Sequence, residues 1–181
     1  MKPALRSFFN IALLGAAFTL SACSPKFDWR EIRSNDAPYA VAMPSKPTTL
    51  TRQIDLNGTQ VAMTMTASSV DGITFAVGSA ELPDATLAQV SLSAMKTALV
   101  NNIGGTIKQE KTLTMAQGSA GGQLAVMEMQ ALGAASNEPA RVLFARFVAQ
   151  DKRVYQLVVT GSEKVVKREL VDTFFSSFKL N

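Results

Sequence analysis

The residue types that carry most enzyme and metal chemistry are scarce in this chain of 181 residues. It has no histidine and a single cysteine, Cys23. Ser-His-Asp triads, Cys-His pairs and nearly all zinc sites need histidine or several cysteines, so the sequence excludes them. The fourteen acidic residues are scattered, and none has the spacing of a calcium loop. The composition therefore predicts a protein that is not an enzyme and that uses no cofactor.

Two Met-x-Met sequences are the one pattern that could bind a metal ion. Met63 and Met65 lie on one predicted strand, and Met127 and Met129 lie on another. Because side chains alternate along a strand, each pair shares one face. Thioether sulfur suits Cu(I), which makes an envelope copper-binding protein one alternative function. Methionine also fills irregular gaps in cores, and this interpretation is favoured because no histidine completes a site.

The first 22 residues have the layout of a secretory signal peptide. Lys2 and Arg6 form a basic start, and an almost wholly apolar run follows from Phe8 to Leu20 before a group of small residues. The run is shorter than the ~20 apolar residues that a membrane-spanning helix needs. The pattern therefore predicts a segment that is removed from the mature protein.

The end of this leader is more specific than an ordinary cleavage site. The sequence Leu20-Ser21-Ala22-Cys23 resembles the lipobox of bacterial lipoproteins at all four positions. The resemblance implies cleavage between Ala22 and Cys23 and attachment of acyl chains such as palmitate to Cys23. Two or three chains anchor a protein firmly, because each buried methylene contributes ~0.8 kcal/mol. Ser24, in place of an aspartate, implies the outer membrane, with the protein facing the periplasm. The alternative is an ordinary secreted protein with one leftover thiol.

The remaining sequence predicts a tether followed by one domain. Residues 23–36 form the lipidated tether, and residues 37–181 are of a normal size for a single domain. Without residues 1–22 the formal net charge falls from +4 to +2, which gives no support for binding nucleic acid. Within the tether, Phe27 and Trp29 either contact a partner or pack on the domain itself, and packing is favoured.

Turn-forming dipeptides divide the first half of the domain into predicted strands. Asn57-Gly58 and Asp71-Gly72 stand between runs of alternating apolar and polar residues, which is the pattern of two-residue hairpin turns. With a first strand at 39–43 that ends before Pro44, these turns predict an antiparallel meander of about four strands.

A helical period follows over residues 84–103. Asp84 or Thr86 can cap its start, and Gly104 is placed to end it in a left-handed conformation. Apolar residues recur at intervals of three and four. They predict a buried stripe formed by Leu87, Val90, Ala94, Ala98 and Leu99.

The second half alternates again and then ends in a helix. Strand patterns occur at 106–115, 121–132, 140–150 and 153–160. A closing helix is predicted over 163–177, with Ser162 as its N-cap. Neither helix can bury its apolar stripe alone, so both must lie on the sheet.

Three segments resemble the PsbP/Mog1-like domains. They are the first strand with its proline (39–44), the last long strand (153–161) and the end of the closing helix (174–180). The resemblance implies an α+β fold, in which two main helices pack on an antiparallel sheet of about six to eight strands to form an α/β/α sandwich. It implies no activity. A helix-grip domain, as in outer-membrane assembly lipoproteins, is the second interpretation.

These features together predict a binding role in the bacterial envelope. The expected protein is a membrane-anchored lipoprotein, held by Cys23, that acts as a non-catalytic binding or assembly accessory domain for another envelope protein. A carrier that holds an apolar small molecule between the sheet and a helix is an alternative, beside the copper protein.

Overall fold

The computed structural model describes residues 26–116, 122–133 and 140–181, so the lipobox and Cys23 lie outside the described residues. Those residues form ten strands in two antiparallel sheets, together with two helices, which confirms the predicted α+β class. The strands are β1 (Arg30–Arg33), β2 (Tyr39–Met43), β3 (Thr48–Leu56), β4 (Thr59–Val70), β5 (Ile73–Glu81), β6 (Gly105–Ala116), β7 (Gln123–Gly133), β8 (Arg141–Gln150), β9 (Arg153–Ser162) and β10 (Lys179–Leu180). The helices are α1 (Ala85–Asn102) and α2 (Arg168–Ser177).

The main sheet has seven strands in the order β3-β4-β5-β9-β8-β7-β6. Its first two hairpins turn at the predicted dipeptides. Asn57 and Gly58 have φ angles of 56° and 85°, and Asp71 and Gly72 have 56° and 75°. Positive φ at both central residues is the condition for a type I′ turn, which matches the twist of the flanking strands. The two sequence signals therefore fix the register of β3, β4 and β5.

The strand at Tyr39–Met43 was predicted correctly as a strand but assigned to the wrong sheet. It does not open the main meander, which has three strands in this half of the chain, but is the central strand of a second sheet with the order β1-β2-β10. Four of its five residues are buried. Because both faces of this strand are covered, apolar and polar residues do not alternate along it. The sequence pattern therefore does not show that it belongs to a separate sheet.

The predicted tether contains part of the fold. Residues 30–33, which the sequence analysis placed in the tether, form β1 and pair with β2 along their whole length. Ile32 is the only apolar residue in β1, so the strand has no hydrophobic pattern. Its stability comes from backbone hydrogen bonds to β2, and the fold therefore includes residues before position 37.

The two helices lie on opposite faces of the main sheet, each over its own hydrophobic cluster. Helix α2 and the small sheet cover one face, where Phe174 and Phe175 are fully buried. Helix α1 covers the other face. The predicted stripe of α1 was partly wrong, because Val90 and Ala98 are exposed, Val90 by 46%. The buried residues of α1 are Ala88, Ser91, Leu92 and Met95.

The closing helix begins five residues later than predicted. The backbone N–H groups of Val165 and Val166 both donate to the carbonyl of Ser162, which forms a separate turn. Lys167 is extended, with φ −94° and ψ 142°, and it is the N-cap of α2 without a side-chain hydrogen bond. The apolar period of the sequence therefore includes this turn, although the turn and α2 do not form one continuous helix.

Helix α1 provides a direct test of which residue caps it. The Asp84 side chain accepts a hydrogen bond from the backbone N–H of Leu87 at 2.8 Å. We expect Asp84→Ala to lower the free energy of unfolding by about 1 kcal/mol, since an orphan donor loses its partner. Urea unfolding measures this difference. The matched control is Thr86→Ala, which lies inside the helix and should not destabilise it; equal losses in both variants would contradict the assignment.

Candidate binding cleft beside helix α2

A cleft of about 410 Å³ lies where the start of α2 faces strands β6, β7 and β8. It is open to solvent on the face of the main sheet that carries α2. Seven of the nine residues that line it are polar or charged, and the other two are Phe144 and Met129. The other lining residues are Lys108, Gln109, Glu110, Lys111, Glu128, Gln130 and Arg168.

The cleft is built around one buried carboxylate. Glu128 is only 3% exposed, although it lies on a strand beside an open surface. Its Oε2 accepts hydrogen bonds from Arg146, at 2.8 Å from Nη2 and 3.3 Å from Nε. Its Oε1 lies 3.1 Å from both Arg168 Nη2 and Lys111 Nζ. A buried carboxylate with three cationic partners is fully satisfied.

Sheet register brings three members of this cluster together. Lys111 of β6 pairs with Glu128 of β7, and Glu128 pairs in turn with Arg146 of β8. Directly opposed residues on adjacent strands lie close enough for side-chain contact. The fourth member, Arg168, is the first residue of α2. We refer to these four residues as the Glu128 cluster.

The cluster holds both ends of α2 against the sheet. At the start of the helix, Arg168 reaches Glu128, and its guanidinium lies 5.5 Å from the ring centroid of Phe144. Near the end of the helix, Arg146 Nη1 donates to the carbonyl oxygen of Phe175 at 2.8 Å. The Arg146 guanidinium also lies 4.7 Å from the Phe175 ring centroid, within cation–π range.

The cations keep Glu128 ionised. Burial alone raises the pKa of its carboxyl group, but the hydrogen bonds from Arg146, Lys111 and Arg168 outweigh that effect and lower the pKa below the ordinary value of 4.5. The group therefore carries its charge at neutral pH. Since its own charge is matched by the cations around it, it does not make the cleft acidic.

The rim of the cleft is positively charged. Lys108, Lys111 and Arg168 are exposed there, and Glu110 forms an ion pair with Lys96 at 2.9 Å. The lining holds three basic and two acidic residues, a net formal charge of +1, which suits an anionic partner group such as a carboxylate. Within the part of the chain that the structure describes, no three acidic, cysteine or histidine residues are grouped as metal ligands.

A second groove of about 720 Å³ adjoins the cleft. Arg146 lines this groove while its partner Glu128 lines the cleft, so the ion pair separates the two hollows. The groove runs past the end of α2, and apolar side chains contribute to its wall. Those are Met115, Ala116, Phe175, Phe178 and Leu180. Together the two hollows follow one side of α2.

The two aromatic residues predicted in the tether lie on the domain. Trp29 packs edge-on against Phe75 with 5.5 Å between ring centroids, and Phe27 stacks on Trp29 at 6.3 Å. Both are partly buried against the cluster that includes Phe75. This is the packing that the sequence favoured over a partner contact. Contact of Phe27 and Trp29 with a partner stays a prediction.

The two methionine pairs do not form one site. Met63 and Met65 lie on β4, and Met127 and Met129 lie on β7, so three strands separate the pairs. At ~4.8 Å between neighbouring strands the distance across the sheet is about 19 Å. All four side chains pack in or against the hydrophobic cluster under α1. This placement agrees with a core role.

Sequence reasoning considered acidic pairs but did not find the Glu128 cluster. Its four residues are up to 57 positions apart, and only the pairing of β6, β7 and β8 unites them. One signal was present: Glu128 is a charged residue between Met127 and Met129 in a largely apolar stretch of β7. A charge in such a position needs a partner.

Comparison with known proteins adds little to this description. No protein family and no curated protein sequence matches the chain. Among solved structures, a protein of unknown function from Pseudomonas aeruginosa, PA94, is similar over 75% of this chain and 84% of its own, with 10% sequence identity and a TM-score of 0.33. Among the residues described, neither helix is both long and apolar enough to cross a membrane.

The Glu128 cluster should make a large contribution to stability. We expect Glu128→Gln to lower the free energy of unfolding by about 3 kcal/mol, because three cations then face a neutral side chain in a buried site. Urea unfolding measures the loss. The matched control is Glu110→Gln, whose exposed pair with Lys96 should be worth at most about 1 kcal/mol.

The pH dependence of the same variants separates charge from packing. A carboxyl group whose pKa is lowered by folding stabilises the protein above its unfolded pKa, and this stabilisation disappears as the pH falls through the folded value. Wild type should therefore lose more stability than Glu128→Gln when the pH falls from 5 towards 2. Parallel losses in the two proteins would show that Glu128 contributes through packing alone.

Proposed function

We propose that this chain is a lipid-anchored binding domain of the bacterial envelope that holds another envelope protein in the cleft beside α2. The anchor follows from the resemblance of residues 20–23 to a lipobox. The observation that carries the binding role is the Glu128 cluster, which fixes a positively charged rim beside an open concave surface. The PsbP/Mog1-like resemblance and a location at the outer membrane belong to the same proposal.

The partner group that best fits the cleft is an acidic segment of a protein. Lys108, Lys111 and Arg168 offer donors at the rim, while the adjoining groove offers apolar surface along the same side of α2. Interfaces commonly combine an apolar centre with charged groups that select the partner. A segment with carboxylates next to apolar residues would use both hollows together.

The geometry gives less support to the carrier alternative. The residues of α1 that face the sheet include Ala88 and Met95, which are 0% and 2% exposed. At the end of the helix, a Cβ atom on Gly133 would lie 2.1 Å from the carbonyl oxygen of Ile103. A ligand between α1 and the sheet would have to displace this packing, since ligand sites are usually preformed hollows.

Metabolic labelling tests the anchor. Cells that express the full chain and are fed a palmitate analogue should yield a labelled protein in the membrane fraction. The variant Cys23→Ala should be unlabelled and should retain its leader, because the thiol that takes the acyl chains is missing. An unlabelled wild type would contradict the proposed anchor.

Site-specific photocrosslinking tests the cleft. A photoreactive residue in place of Gln130, which lines the cleft, should yield a discrete crosslinked protein in intact cells. The same residue in place of Thr51, which is exposed on β3 at the far edge of the sheet, should not.

A charge reversal then checks the role of the rim. Lys108→Glu should weaken the Gln130 crosslink, whereas Lys152→Glu, in the turn between β8 and β9, should leave it unchanged. The cleft is not the binding surface if Gln130 and Thr51 positions give the same products, or if the cleft position gives none.

A further inference from the structure

The described part of the domain begins very close to the proposed anchor. Only Ser24 and Pro25 separate Cys23 from Lys26, the first described residue. Three fully extended residues span at most about 11 Å, so an acylated Cys23 would keep Lys26 within that distance of the membrane surface. Lys26 is itself tied to the domain through an ion pair with Asp71. Much of the predicted tether, from Lys26 to Arg33, therefore contacts the domain or forms part of it.

Several turns meet at this end of the molecule, which we call the anchor end. The backbone N–H of Asp28 donates to the carbonyl of Pro44 at 2.9 Å, and Lys26 reaches the turn at Asp71. Gly72 of that turn lies against Gly161, and Ser162 pairs with Arg141. The anchor end comprises residues 26–28, 44–47, 71–72, 140–141 and 162–167.

The anchor end is positively charged. Its described residues include five basic and three acidic ones, which gives them a formal charge of +2. The basic residues are Lys26, Lys46, Arg141, Lys164 and Lys167. Val165 lies among them and is 38% exposed, although valine is apolar. Basic groups with an exposed apolar side chain are typical of surfaces that lie on anionic lipids.

The opposite end has the reverse charge. Strands β5 and β9 run from the anchor end to residues 81 and 153, about 25 Å away at ~3.3 Å per residue. The turns at that end hold five acidic residues and two basic ones, a formal charge of −3. They lie at residues 36, 55–58, 81–84 and 151–153. The charge separation thus follows the direction in which the anchor would hold the domain.

We infer that the anchor end lies against the anionic lipid headgroups of the membrane in which Cys23 is anchored. The inference rests on the proposed lipidation and adds to it an orientation and a second contact. Charges within a Debye length of ~8 Å interact with the headgroups at physiological salt. The short span to Cys23 places Lys26 at about that distance, and Lys46 lines the same surface hollow as Lys26, while the acidic end points away from the membrane.

The chain carries its own reporter of this contact. Trp29 is the only tryptophan, and it packs on Phe75 three residues after Lys26. The full lipidated protein is placed in vesicles of phosphatidylglycerol and phosphatidylcholine that contain a lipid with a nitroxide on its headgroup. We expect strong quenching of Trp29 fluorescence, and weaker quenching in vesicles of phosphatidylcholine alone.

Two sets of variants sharpen the test. In a Trp29→Phe background, Lys152→Trp puts the reporter at the acidic end and should be quenched little. Reversing two charges with Lys46→Glu and Lys164→Glu should lower the equilibrium constant for contact between the anchor end and the membrane by more than about tenfold. Each basic residue raises that constant about fivefold at an anionic surface. The matched control, Arg52→Glu with Lys152→Glu, removes the same charge elsewhere and should leave the quenching of Trp29 unchanged.

The mass of the purified protein distinguishes the two levels of the proposal. A mass without acyl chains overturns the lipid anchor and this orientation with it. An acylated protein whose Trp29 is quenched no more than a tryptophan at position 152 overturns the orientation alone. Equal loss of quenching in both double variants also overturns it, because the contact would then follow net charge and not the anchor end.

Discussion

The position of helix α2 depends on one buried charge. Glu128 lies in the middle of β7, and its carboxylate accepts from a guanidinium at the start of the helix and from another that also donates to a carbonyl near its end. Without the carboxylate, Arg146 and Arg168 would repel each other beneath the helix. The helix is only ten residues long, so it depends on such tertiary contacts more than on its own hydrogen bonds.

The Glu128 cluster costs free energy because it buries charge, and its location in the fold gives a reason for that cost. Burying an ion pair loses hydration that its attraction only partly restores, and an apolar replacement is often as stable. Elsewhere on this face the protein does use apolar packing, with Phe75, Phe174 and Tyr155 fully buried. The charged cluster stands where that packing gives way to an open cleft. There, fixed charges provide a rim that an apolar core could not.

How far the sequence predicts this structure depends on whether the signal is local. The turns at Asn57-Gly58 and Asp71-Gly72 and the left-handed Gly104 each follow from one or two residues and were predicted, and Asp84 was one of the two predicted candidates for the cap. Strand β1 could not be found in the same way, because its pairing with β2 rests on backbone groups that every sequence has. The Glu128 cluster was missed for a related reason. Its members are brought together by strand register and by α2, and neither is visible in residue types.

The small sheet connects the start of the ordered chain to the helix that forms the cleft. Strand β2 pairs with β1 on one side and with β10, which follows α2 directly, on the other. The backbone N–H of Ala42 in β2 also donates to Ser177 Oγ at 2.9 Å, at the last residue of α2. In a chain held at Cys23, the paired strands β1 and β2 would connect the anchored end of the domain to α2. The anchor and the cleft would then lie on connected elements of the fold, which suits a domain that presents or receives an extended segment beside the membrane.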